Sequence, residues 1–110
     1  MSVKIKKSTI TMTRGDTLRS KVVITDSAGN PYIPAKGDVL RFAAKKQYTD
    51  EVPCIIKDIP IDTCVLHLEP SDTKELEQPY SYVYDIQITM NDGTVDTFIS
   101  GVLRLTEEVY

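Results

Sequence analysis

A chain of 110 residues with 41% hydrophobic and 26% charged side chains is one globular domain's worth of protein, an expectation that excludes most multi-domain enzymes, and its composition is far from that of a disordered or membrane-spanning chain. The formal net charge of −3 conceals an asymmetry: residues 1–46 carry ten Lys/Arg against three Asp, net +7, and residues 47–110 carry three against thirteen acids, net −10. An acidic balance without tryptophan, and without a basic stretch interleaved with aromatics, argues against nucleic-acid binding.

The first seven residues, Met1-Ser2-Val3-Lys4-Ile5-Lys6-Lys7, are basic but lack the apolar core of a secretory signal, so synthesis and folding in a cytoplasm are expected. From there the hydrophobic period is two rather than 3.6, which indicates strands. Ile10 and Met12 share one side of a first strand over 9–13. Leu18, Ser20, Val22 and Ile24 alternate with Arg19, Lys21, Val23 and Thr25 in a second, and Leu40, Phe42 and Ala44 alternate with Val39, Arg41 and Ala43 in a third. A fourth is expected over 52–58. In the fifth, Cys64, Leu66 and Leu68 alternate with Val65, His67 and Glu69. The clearest run is the sixth, with Tyr82, Tyr84, Ile86, Ile88 and Met90 set against Val83, Asp85, Gln87 and Thr89. The seventh places Val95, Thr97, Ile99, Leu103 and Leu105 on one face.

Turn signals separate these runs: Asp26-Ser27-Ala28-Gly29-Asn30-Pro31, Pro34-Ala35-Lys36-Gly37-Asp38 and Asn91-Asp92-Gly93. The last supplies the positive φ angles of a tight hairpin, so the final two strands should be an antiparallel pair. One helical turn is expected near residues 71–76, with Asp72 as its cap and Glu75 three residues on. A short helix followed by a tyrosine, Tyr82 or Tyr80, fits the corner between the fifth and sixth strands of an immunoglobulin-like sandwich. The expected fold is therefore an all-β, immunoglobulin-like antiparallel β-sandwich of about seven strands, occupying residues 1–110 as a single domain. The terminal runs, Val3-Lys4-Ile5-Lys6-Lys7 and Glu107-Glu108-Val109-Tyr110, are candidates for arms that pair with a neighbour's edge strand.

Little in the chain resembles reaction chemistry. Cys54 and Cys64 are too few and wrongly spaced for zinc, and His67 is the single histidine, so neither a metal nor a cofactor is expected. A hairpin centred between Pro60 and Ile61 would set Cys54 opposite His67 and Cys64 opposite Lys57, so two free thiols are expected. His67 falls on the outward phase of its strand with no nucleophile fixed near it by a motif. Ser71-Asp72-Thr73-Lys74 has the Ser-x-x-Lys spacing of serine acylases without their long helix or companion motifs, and reads as a cap. Asp50, Glu51, Asp58 and Asp62 lack the regular ligand rhythm of a calcium loop and read as a solvated acidic edge. In Arg14-Gly15-Asp16 the glycine permits a turn and Asp16 can accept from nearby amides such as that of Leu18, which explains the tripeptide without an adhesion role. No catalytic, cofactor-binding or metal-binding residue is assigned.

The order Thr13-Arg14-Gly15-Asp16-Thr17-Leu18, Ile24-Thr25-Asp26 with Gly29-Asn30-Pro31-Tyr32, Gly37-Asp38-Val39-Leu40-Arg41-Phe42, Leu68-Glu69-Pro70-Ser71-Asp72-Thr73 with Leu76, Tyr82-Val83-Tyr84-Asp85-Ile86-Gln87, and Asp92-Gly93-Thr94-Val95-Asp96-Thr97 with Gly101 resembles the N-terminal domain of phage baseplate upper proteins. That family belongs to tailed phages and prophages of Gram-positive bacteria. The likeness runs from about Ile10 to Val109 and rests on order and spacing. It departs at Gln78-Pro79, where a glycine is expected, and longer members continue beyond the position of Tyr110 into a linker and further domains.

The resemblance implies an immunoglobulin-like domain that docks onto a tail or baseplate, a non-enzymatic virion structural or adaptor protein whose partners are other tail proteins or copies of itself. It also implies that Arg14, Gly15, Asp16, Asp38, Asp72, Thr73, Tyr82, Tyr84 and Asp85 hold turns and corners. The charge asymmetry has two readings: the halves neutralise one another within the domain, or a polar molecule makes head-to-tail contacts. The alternative function is a carbohydrate- or cell-surface-binding module, for which Tyr32, Tyr48, Tyr80 and Tyr110 are the candidate exposed aromatics; Phe42, Tyr82, Tyr84 and Phe98 are expected to pack.

Overall fold

The computed structural model describes residues 6–25, 28–76 and 80–106, with the backbone alone for residues 6–8 and 80. Its strands are β1 (Lys6–Thr13), β2 (Leu18–Lys21), β3 (Ile24–Thr25), β4 (Pro31–Tyr32), β5 (Val39–Lys45), β6 (Ile55–Ile59), β7 (Val65–Leu68), β8 (Tyr80–Thr89) and β9 (Val95–Thr106); one short helix, α1 (Pro70–Thr73), precedes β8. A five-stranded sheet has the order β1-β9-β8-β5-β6, and the pairs β2-β7 and β3-β4 complete the architecture. The protein is an all-β, sandwich-like fold.

The period-two runs produce this layering directly, because alternate residues of a strand point to opposite faces. Leu40, Phe42 and Ala44 of β5, Tyr82, Tyr84, Ile86 and Ile88 of β8, and Leu103 and Leu105 of β9 are buried on the inner face of the large sheet. Val22, Ile24, Leu66 and Leu68 meet them from the facing layer in one core. Within it the Phe42 and Tyr84 rings pack with centroids 5.3 Å apart and planes tilted by 30°.

Several expectations need correction. The run over 18–25 is two strands: after Lys21 the chain leaves β7, and Ile24 and Thr25 pair instead with Tyr32 and Pro31, in a segment expected to be only a turn. The fourth strand begins at Ile55, past Pro53, whose ring nitrogen carries no hydrogen for a ladder; the Cys54 amide still donates to the Ala44 carbonyl at 2.8 Å. The sheet is not wholly antiparallel, since β1 runs parallel to β9, from Lys6 opposite Ile99 to Thr13 opposite Thr106.

Strand β9 also changes phase. Its register against β8 shifts between Ile86 and Gln87, so Ile99 faces Ile86 but Thr97 faces Gln87. The extra residue rotates the strand's start by one position. Phe98 is thereby buried, while Val95, expected inward with Leu103, is 55% exposed.

The cysteine hairpin does not form. Strand β6 pairs with β5 and β7 with β2, so the chain crosses between layers where an in-sheet turn was expected. Cys64 sits in that crossover with φ of 54°, its amide donating to the Pro60 carbonyl at 2.8 Å. Both thiols are free, as expected. The Asn91-Asp92-Gly93 hairpin does form: the Met90 amide donates to the Thr94 carbonyl, and Thr94 N–H to Asp92 Oδ1 at 2.9 Å. Residues 1–5, 26–27, 77–79 and 107–110 lie outside the described residues, and with them Asp26, Gln78-Pro79, much of the basic arm and the whole acidic arm.

Candidate functional site

Several of the residues that stood out in the sequence are placed in two joints of the fold. At the first, the Arg14-Gly15-Asp16 turn docks on α1. Gly15 adopts φ of 85°, which a side chain would oppose, and its amide donates to Thr73 Oγ1 at 2.8 Å. Thr73 is fully buried. Arg14 Nη1 donates to the Lys74 carbonyl, the Arg14 amide donates to the Thr106 carbonyl at 3.1 Å, and the Asp16 amide closes the turn onto the Thr13 carbonyl. The tripeptide thus ties β1, β9 and α1 together instead of presenting a free arginine.

The helix is held from the other side by Asp72, which is not the cap expected from sequence. Glu69 is the N-cap residue, and Asp72, three positions on, reaches back to accept from the Glu69 amide at 2.6 Å. Asp72 Oδ2 also lies 3.0 Å from Lys57 Nζ on β6. Ser71-Asp72-Thr73-Lys74 is therefore a structural turn in a four-residue helix.

The second joint is Asp38. Its carboxylate is buried and accepts from the Ala35 amide at 2.9 Å, the Tyr32 hydroxyl at 2.9 Å and the Asn91 amide at 3.1 Å. The bond from Ala35 is the leading reason that this carboxyl lies below its usual range; burial opposes it, and Tyr32 and Asn91 add to the lowering. The phenol of Tyr32 is raised in turn, chiefly by its bond to Asp38. Asn91 Nδ2 donates to the Lys36 carbonyl at 2.6 Å, so both ends of this joint are tied twice. Sequence reasoning singled out Asp38 and Tyr32 but not the bond between them, nor the link to Asn91 of the β8–β9 hairpin.

The acidic edge is likewise partly engaged. Asp58 accepts from Arg41 Nε at 2.9 Å on the outer face of the large sheet, and Asp50 accepts from the Gln47 amide at 3.1 Å. Asp62 is exposed. Among the described residues no group of three or more His, Cys, Asp or Glu side chains could hold a metal ion. His67 is exposed on β7 opposite Arg19 of β2.

Of the candidate aromatics, Phe42, Tyr82, Tyr84 and Phe98 are buried, as expected. Tyr32 is half-buried and bonded to Asp38, Tyr48 is 76% exposed, and the Tyr80 side chain and Tyr110 lie outside the described residues. Tyr48 borders a hollow of about 80 Å³ with Ala43, Lys45, Val83 and Asp85. Burial pushes the Asp85 carboxyl up there, opposed by Gln87 and Lys45.

A larger groove of about 350 Å³ opens beside the β3-β4 pair. Val22, Val23, Ile24, Ile33, Ile61 and Cys64 line it, with Lys21 and Asp62 as its charged members. Its two most exposed apolar side chains are Ile33 at 83% and Val23 at 61%. Sequence reasoning missed it because the layer crossing brings Ile61 and Cys64 to the break between β2 and β3. The available signal was Ile33 itself, an apolar residue between Tyr32 and Pro34 in a turn. No helix among the described residues is long and apolar enough to cross a membrane. No protein-family model matches the chain, and no curated protein matches its sequence.

Proposed function

We propose that this chain is a non-enzymatic structural or adaptor protein of a phage tail, baseplate or phage-tail-like particle, acting through protein–protein contacts and assembled in the cytoplasm of a bacterial host. The observation that carries the reading is the use made of the chain's chemically conspicuous residues. Arg14, Gly15, Asp38, Asp72 and Thr73 are engaged in joints of the fold, whereas Val23, Ile33, Val52 and Ile56 stand exposed. Polar groups that stabilise a scaffold and apolar groups that face outward fit a protein whose work is association. The ordered likeness to the baseplate upper protein domain supplies the setting.

The test is to induce the prophages of the source bacterium, purify the released tails or virions, and look for this chain by mass spectrometry and antibody labelling. The expected result is its presence, at the distal tail end for a baseplate component or along the tube for a decoration protein. Absence from particles with abundant free protein in the lysate would sink the proposal.

A glycan-binding module is the second reading, favoured by the exposed Tyr48 ring beside Lys45 and Asp85. The hollow there, about 80 Å³, is well below the roughly 300 Å³ at which small-molecule sites begin. Saturable glycan binding abolished by Tyr48→Ala, without association to tail proteins, would reverse the ranking.

A further inference from the structure

The groove beside the β3-β4 pair has a composition that selects its occupant. Its floor is apolar, formed by Val22, Ile24 and Ile61, and its volume of about 350 Å³ has room for branched aliphatic side chains. Ile33 and Val23 belong to the same groove and project outward at 83% and 61% exposure. The surface thus contains both an apolar recess and the side chains suited to fill one.

The charges carry the argument further. Lys21 and Asp62 are exposed members of the groove, and neither enters an ion pair among the described residues. A contact about a two-fold axis requires each patch to complement itself, residue i meeting j while j meets i. One lysine and one aspartate meet this requirement. About such an axis Lys21 of each copy would meet Asp62 of the other, giving two opposite-charge pairs from two residues. A partner of uniformly acidic or basic character would leave one of these charges facing its like.

We propose that this groove is an isologous docking surface for a second copy of the same chain, in which Ile33 of each copy enters the recess of the other and Lys21 meets Asp62 across the axis. The inference deepens the assembly reading and rests on it for its biological setting. Its test uses the purified full chain alone, so its failure is distinguishable from absence of the chain from particles.

Sedimentation velocity over about 10 μM to 1 mM should show a reversible dimer, the range expected of a small interface. Ile33→Asp should abolish the dimer while leaving thermal unfolding at low concentration unchanged, because the replaced side chain is exposed. Lys21→Glu and Asp62→Lys should each raise the dissociation constant about tenfold at low salt, since each change affects two symmetry-related pairs. The double variant restores both pairs in reverse and should recover most of the lost affinity. A monomer throughout the range would overturn the proposal, as would a dimer indifferent to Ile33→Asp or a double variant no tighter than the single ones.

Discussion

The Tyr32 hydroxyl donates to Asp38 Oδ2 at 2.9 Å, six positions further along the chain, and Asp38 is in turn fixed to the β8–β9 hairpin through Asn91. One buried carboxylate thereby sets the geometry of two loops at the same end of the sandwich. Tyr32→Phe removes one donor and should cost about 1 kcal/mol, whereas Asp38→Ala strands three donors and should cost about 3 kcal/mol. Chemical denaturation of both variants checks the order, and equal losses would show that the Tyr32 bond dominates the joint.

The same carboxylate predicts a response to acid. Its folded-state pKa lies below the ordinary 3.8, so its stabilising contribution is present above that value and fades as pH falls through the folded-state pKa. The wild-type stability curve should therefore drop more steeply below about pH 4 than that of Asp38→Asn. Superimposable acid limbs from thermal melts would remove this assignment.

Asp85 predicts the opposite sign. Its pKa is raised, mainly by burial, so folding favours the protonated form and the advantage is lost as pH rises through the folded-state value. Asp85→Asn should raise the melting temperature at pH 7 and have little effect near pH 3. A fall at pH 7 would mean that the contributions of Lys45 and Gln87 outweigh burial.

Much of the architecture was legible because burial imposes a period of two. Leu40, Phe42 and Ala44, and the alternating residues of β8, face the core as their spacing predicts. The Asn91-Asp92-Gly93 turn was equally legible, since its chemistry is local. The parallel β1–β9 pairing and the Ile86/Gln87 shift were not, because they depend on which strands meet, and periodicity says nothing of partners. The Gly15–Thr73 bond and the groove joining Val23 to Ile61 escaped for the same reason, each linking segments distant in sequence.

That Gly15–Thr73 bond gives a further prediction. Thr73→Val keeps the shape of the buried side chain but leaves the Gly15 amide without its 2.8 Å acceptor, at a cost of about 2 kcal/mol. Thr73→Ser retains the oxygen and should recover a substantial part of the loss. If serine and valine destabilise equally in urea titrations, the methyl group rather than the hydroxyl holds the joint.

Gly37 and Gly29 form a matched comparison. Both have positive φ, 97° and 89°, but a Cβ at Gly37 would run into the Asn91 side chain, while one at Gly29 would meet nothing within 4 Å among the described residues. Gly37→Ala should therefore destabilise more than Gly29→Ala, which bears only the conformational cost of about 1 kcal/mol. Asn91→Ala should narrow the difference between them in the same melting experiment.

The parallel pairing of β1 with β9 also has a mechanical consequence. Because the two strands run the same way, the chain enters β1 at the Lys6 end of the sheet and leaves β9 at the Thr106 end, about 23 Å away along the strand direction. A pull transmitted through the segments flanking those strands therefore draws them past one another along their length. All eight register pairs, from Lys6 opposite Ile99 to Thr13 opposite Thr106, share that load in shear instead of unzipping in succession. A domain threaded in this way resists tension along its long seam.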